Sequence, residues 1–179
     1  MKAVKLEEMP QPRILALDQA TKLVGYCVAT GDRYQTSGVI RLKGRTPWVR
    51  VKQLWEWASQ MLTITLGDDR PPFDMLVLEI PTAVHGNPQT DRILGATLGV
   101  MVAAGWEAGA DVIMVTPNQI RKTGYSKENK VAAAHMIPSA GGIPGNVRDD
   151  EADAIGAWWA AWTIYKETWI LTQASDQED

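Results

Sequence analysis

Apolar residues recur along this chain in two rhythms, and the change of rhythm marks out the elements. Residues 13–18, RILALD, and 23–30, LVGYCVAT, are short runs rich in aliphatic residues, with Gly31-Asp32 as a turn after the second. Residues 34–42, YQTSGVIRL, predict a third strand. The three are close in sequence, so antiparallel pairing is expected. Residues 47–66, PWVRVKQLWEWASQMLTITL, switch to helical spacing, with Pro47 allowed in the first turn. GDDRPP breaks the chain. FDMLVLEI, 73–80, is apolar enough for an interior strand. PTAVHGNP leads into a helix over about 89–108, and DVIMVT, 111–116, predicts a fifth strand. PNQIRKTG reads as a short helical turn, 126–137 as a helix, PSAGGIPGNV as a loop and 150–170 as the last helix. The order βββ-α-β-α-β-α-α argues for a mixed α/β sheet with helices on its faces. Ligands of such sheets gather at strand ends.

Composition narrows this picture. The chain has 179 residues, of which 45% are hydrophobic, enough for one core. No apolar run is long enough to span a bilayer, and MKAVKLEEMPQPR lacks the apolar centre of a signal peptide. Cys27 is the single cysteine and lies in an apolar strand, which predicts a packed thiol in a reducing cytoplasm. The expected division is an N-terminal extension over 1–12, a domain over 13–170 and an acidic, disordered tail over 171–179. The net charge of −3 gives no global signature of a nucleic-acid binder. The average hides two basic patches, at Arg41, Lys43, Arg45, Arg50 and Lys52 and again at Arg121, Lys122, Lys127 and Lys130. Taken singly, each of these reads better as solvated surface. Eight tryptophans against one phenylalanine point to core or subunit packing.

The carboxylates carry the candidate chemistry. Asp18 ends the first strand and Glu79 nearly ends the fourth. The last helix opens with Asp149, Asp150, Glu151 and Asp153, and Asp150 and Asp153 share a face. If strands one and four pair in parallel, Asp18 and Glu79 meet at one sheet edge. Asp18 alone could be a turn residue, and Asp149 a helix cap that takes no part in chemistry. Glu79 has no such reading, since glutamate suits neither an apolar strand nor a turn there. Converging carboxylates repel without a cation, and oxygen donors suit Mg²⁺ or Mn²⁺. Two such ions would clamp a phosphodiester displacement. His85 and His135 lack metal-ligand spacing, and no GxSxG, Walker A loop or CxxC pair occurs. Gly95, Gly99 and Ala103, four residues apart, would let another backbone approach closely.

These motifs, in this order, resemble the RuvC Holliday-junction resolvases of the RNase H-like nuclease superfamily. The resemblance runs through ILALDQATKLVGYCVA, LVLEIP, NPQTDRILGATLGVMVAAG, TPNQIRKTGYSKENKVAAAHMI and DDEADAIGAWWAA, about residues 13–165. It implies an RNase H-like α/β fold with a five-stranded mixed sheet, three strands antiparallel and two parallel, flanked by helices. It implies an endodeoxyribonuclease that resolves four-way DNA junctions by Mg²⁺-dependent hydrolysis, leaving 5′-phosphate and 3′-hydroxyl ends. Asp18, Glu79, Asp150 and Asp153 would hold two Mg²⁺, with Mn²⁺ able to substitute. Lys127 would stand near the scissile phosphate. Arg121, Lys122, Lys127 and Lys130 would contact DNA. The helix over 89–108, with Gly95 and Gly99, would make a homodimer that cuts two strands symmetrically. Two positions depart from the family pattern: Ala20 replaces a glycine, and IPTAVHGN lacks the aromatic that members place after the glutamate. The looser match implies a divergent member, such as a phage-encoded one. The rival readings are a nuclease of RNA–DNA hybrids or other branched DNA, a non-catalytic DNA-binding relative, and an actin-like ATPase, for which the chain is short.

Overall fold

The computed structural model describes residues 6–20, 22–63, 72–80, 88–126, 128–138 and 142–175. Three strands open the fold: β1 (Arg13–Asp18), β2 (Leu23–Thr30) and β3 (Arg33–Arg41). Then come α1 (Pro47–Thr63), β4 (Met75–Glu79), α2 (Pro88–Glu107) and β5 (Asp111–Val115). Two short helices, α3 (Pro117–Lys122) and α4 (Lys130–His135), precede the long α5 (Asp149–Ser175). The sheet order is β3-β2-β1-β4-β5, antiparallel between β1, β2 and β3 and parallel from β1 through β4 to β5. This is the expected five-stranded mixed sheet.

Alternation along the strands sorts the core into two layers. Ile14 and Ala16 of β1, Cys27 and Ala29 of β2, and Met75 and Val77 of β4 pack with the face of α5 that carries Ala154, Ile155, Trp158 and Trp162. Leu15, Leu17, Val24, Leu76 and Leu78 point the other way, toward Leu54, Ala58 and Leu62 of α1 and Met101 and Ala104 of α2. β1 and β4 are therefore buried on both sides, which explains their nearly unbroken apolar runs. Cys27 is buried, as its strand predicts, and burial holds its thiol well above its ordinary value.

Beyond shifts of one or two residues at strand ends, element boundaries differ from the sequence reading in two places. The helix expected over 126–137 is limited to Lys130–His135, and Tyr125, just before it, packs its ring against Gly156 of α5. The last helix begins at Asp149 and runs on to Ser175, past the boundary expected at 170. Among the described residues no helix is long and apolar enough to cross a membrane.

Candidate active site

The strand ends put the carboxylates together. β1 and β4 run parallel in a register that pairs Leu17 with Leu78, so the next residues, Asp18 and Glu79, stand side by side at one sheet edge. Both continue the alternating set that faces α5: 14, 16 and 18 on β1, and 75, 77 and 79 on β4. Glu79 is buried, at 8% exposure.

The start of α5 is pressed against that edge. Gly25 on β2 is the register partner of Asp18. A Cβ at Gly25 would lie 1.8 Å from the carbonyl oxygen of Asp150, so only glycine lets the helix come this close. Glu151 fixes the approach: one carboxylate oxygen accepts from the backbone N–H of Arg148 at 3.0 Å, the other from Ser37 Oγ on β3 at 3.0 Å. Glu151 is thus a clamp between helix start and sheet, a role sequence reading missed. The signal for it was the glutamate three residues into the helix, the second half of a capping box.

Asp153, one turn further on, is buried at 6% exposure. Its Oδ2 accepts a hydrogen bond from Lys130 Nζ on α4, while its Oδ1 is buried with no hydrogen-bond partner among the described residues. Burial by itself would lower the Lys130 ammonium. The hydrogen bond and charge of Asp153, with the charges of Asp18 and Asp149, outweigh it and leave Lys130 above its ordinary value. Tyr125 reports the same field. Its hydroxyl donates to the carbonyl of Ala152, and burial first, then the charges of Asp153, Glu79, Asp18 and Asp149, push it far above its ordinary value. Carboxylates from β1, β4 and α5 therefore act on one buried phenol.

Of the expected site residues, Asp18, Glu79 and Asp153 place their charges on Tyr125, and Asp18 and Asp153 place theirs on Lys130. Asp150 is half-buried, with its backbone over Gly25. Asp149 adds its charge to the set as well. Arg121 and Lys122 lie in the last turn of α3, which follows β5 at the same sheet edge and is held there by a capping box between Thr116 and Gln119. Lys127 and His85 lie outside the described residues. Among the described residues, no three carboxylate, imidazole or thiol groups gather into one ligand sphere. Gln19, next to Asp18, is also buried, and among the described residues neither its amide nitrogen nor its oxygen has a hydrogen-bond partner. Sequence reading passed over it, since a glutamine after a strand carries no signal of burial.

Gly95 and Gly99 stand on an exposed stripe of α2, with nothing within 4 Å of a Cβ at either. Trp158 and Trp162 are core residues, as expected, whereas Trp48 and Trp106 are exposed.

No family model matches the chain. Individual proteins do. It is 28% identical over 148 residues to the crossover junction endodeoxyribonuclease RuvC of Pseudoalteromonas atlantica, covering 79% of this chain and 82% of that one. It is 29% identical over 150 residues to the protein of that name from Burkholderia orbicola, covering 80% and 79%. Among solved structures, it overlays on Thermus thermophilus RuvC in complex with a Holliday junction substrate with a TM-score of 0.67 at 16% identity, covering 85% of this chain and 94% of that one. A second Thermus thermophilus RuvC structure gives a TM-score of 0.63. The overlay establishes a common fold.

Proposed function

We propose that the chain, 28–29% identical to RuvC proteins over about 80% of its length, is a divergent member of that family and a structure-selective endonuclease that resolves four-way DNA junctions by hydrolysing phosphodiester bonds. The observation that supports this reading most is the sheet edge where Asp18 and Glu79 stand side by side and, with Asp153, act on Tyr125. A protein that only gripped phosphate would gain nothing from carboxylates there.

The residues fit a hard divalent cation. Their donors are all oxygens, and Asp153 keeps one buried carboxylate oxygen without a hydrogen-bond partner. Asp18, Glu79, Asp150 and Asp153 would hold the metal, Mg²⁺ by donor chemistry with Mn²⁺ as a substitute. Bound there, the metal would supply activation of a water and neutralisation of charge on the leaving oxygen. The chain's own residues do the rest. Lys130, held at the acidic edge by Asp153, supplies a cation that stabilises charge developing on phosphate. Tyr125 stays protonated and braces α5 through the Ala152 carbonyl. Arg121 and Lys122 hold the backbone of the strand. A homodimer built on the α2 stripe would bring two such sites to one junction, in the cytoplasm where the DNA lies.

End-labelled synthetic junctions test this reading, with linear duplex, a fork and an RNA–DNA hybrid as controls. Paired nicks on the junction that require Mg²⁺ and vanish in Asp18→Asn, with junction binding retained, are expected. Cutting of the hybrid alone would move the substrate to RNA. Equal loss of binding and cutting in Asp18→Asn would remove the metal role.

A further inference from the structure

Between the first turns of α1 and α2 lies a cleft of about 520 Å³, lined by Pro47, Trp48, Pro88, Gln89, Arg92 and Ile93. That volume falls among small-molecule sites, which run to roughly 300–1,000 Å³. Its floor is apolar, with Ile93 buried, and its rim carries a cation, Arg92, and an amide, Gln89. Trp48 is 62% exposed, far more than Trp158 or Trp162 of the same chain. A large indole held in water at the mouth of a cleft costs hydrophobic free energy that a ligand's flat apolar face would recover.

The cleft has a defined place. β3 runs parallel to β1, so its last residue, Arg41, leaves the sheet at the edge where Asp18 stands. Glu79 ends β4 at that edge as well, and the chain then leads to α2. Both helices thus begin at the carboxylate edge, on the sheet face opposite α5. The approach to α1 is basic: Arg41, Lys43 and Arg45 are all exposed. It is also fixed, since the Lys43 backbone N–H donates to Gln53 Oε1 at 2.9 Å and Arg50 Nη1 to the Gly44 carbonyl at 2.8 Å. A polyanion is the complement of that segment, and a planar aromatic the complement of the indole. One molecule supplies both: a DNA strand with an unstacked base.

We propose that this cleft binds an unpaired nucleobase, stacked on Trp48, with the adjoining phosphates on Arg92 and the Arg41–Arg45 segment. The choice of DNA as occupant rests on the nuclease reading above. A base parked here would hold a junction strand open beside the carboxylate edge. Trp48 is then a positioning residue for the cut, acting through the strand it holds.

The test uses the full chain in EDTA, where nothing is cut, and a single strand and a four-way junction that carry 2-aminopurine, at the exchange point in the junction. Stacking on an indole quenches this base. Wild type is expected to quench both probes. Trp48→Ala is expected to lose the quench and bind the single strand about tenfold more weakly, while Trp48→Phe keeps most of both. Arg92→Ala is expected to flatten the salt dependence by about one charge. No quench by wild type, or an equal quench by Trp48→Ala, would overturn the proposal. A shift of Trp48→Ala from dimer to monomer in light scattering would also overturn it, by assigning the surface to a second copy. Cutting in Mg²⁺ is measured in parallel to separate the two readings. Quenching through Trp48 with no cutting of any DNA would sink the nuclease reading and leave the cleft. Normal cutting by both wild type and Trp48→Ala, with equal quench, would do the reverse.

Discussion

At the scale of single residues, the acidic edge is held together by few contacts, and each makes a distinct prediction. Lys130→Met removes the ammonium that meets Asp153. Cutting is expected to fall about a hundredfold, ~3 kcal/mol of transition-state stabilisation, with junction affinity nearly unchanged; single-turnover kinetics would read this. Asp149 and Asp150 divide the last question about the carboxylates. If Asp150 is the ligand, Asp150→Asn loses cutting at least tenfold more than Asp149→Asn, and the opposite ranking gives the role to Asp149. Gln19 offers a trade. A buried amide without partners costs about 1–3 kcal/mol, so Gln19→Leu is expected to raise the urea midpoint. A fall in cutting alongside would show that the amide waits for substrate.

At the scale of elements, the decisive contact is α5 on β2. Gly25→Ala drives a Cβ into the Asp150 carbonyl. Backbone cannot yield as a side chain does, so a loss of about 3 kcal/mol and displacement of the helix start are expected in chemical denaturation. The far side of this contact is Trp158, whose Nε1–H donates to the Gly31 carbonyl at 3.0 Å. That bond ties the middle of α5 to the β2–β3 turn, so the helix is fixed at two points along the strand. The acidic edge inherits its geometry from this docking, and not from α5 alone.

At the scale of the whole molecule, pH and assembly are the levers. Cys27, Tyr125 and Lys130 all titrate above their ordinary values in the folded chain. Each therefore contributes stability that is full below the unfolded value and is lost as pH rises toward the folded one. The fold is expected to hold its urea midpoint through neutral pH and to lose stability above about pH 9, where Cys27 first titrates when unfolded. Assembly can be separated from folding at Gly99. Its Cβ position is open in the single chain, so Gly99→Leu should fold as stably as wild type. In a dimer built on α2 the same change clashes. Light scattering should then show a monomer, and junctions should be nicked on one strand at a time.

The sequence by itself determined the strands, the order of the elements and the residues worth watching, because alternation and helical spacing are local and survive without knowledge of the fold. Asp18 and Glu79 stood out because a carboxylate in an apolar strand is costly wherever that strand lies. What only tertiary structure decided was which groups meet. The register of β1 and β4 set Asp18 beside Glu79. The missing Cβ of Gly25 allowed α5 to bring Asp153 to them, and α4 delivered Lys130 to Asp153 from far along the chain. Those are long-range contacts fixed by packing, and no spacing along the sequence encodes them. The same holds for the Trp48 cleft, whose two walls are forty residues apart in sequence and meet only because β3 and β4 end at one edge.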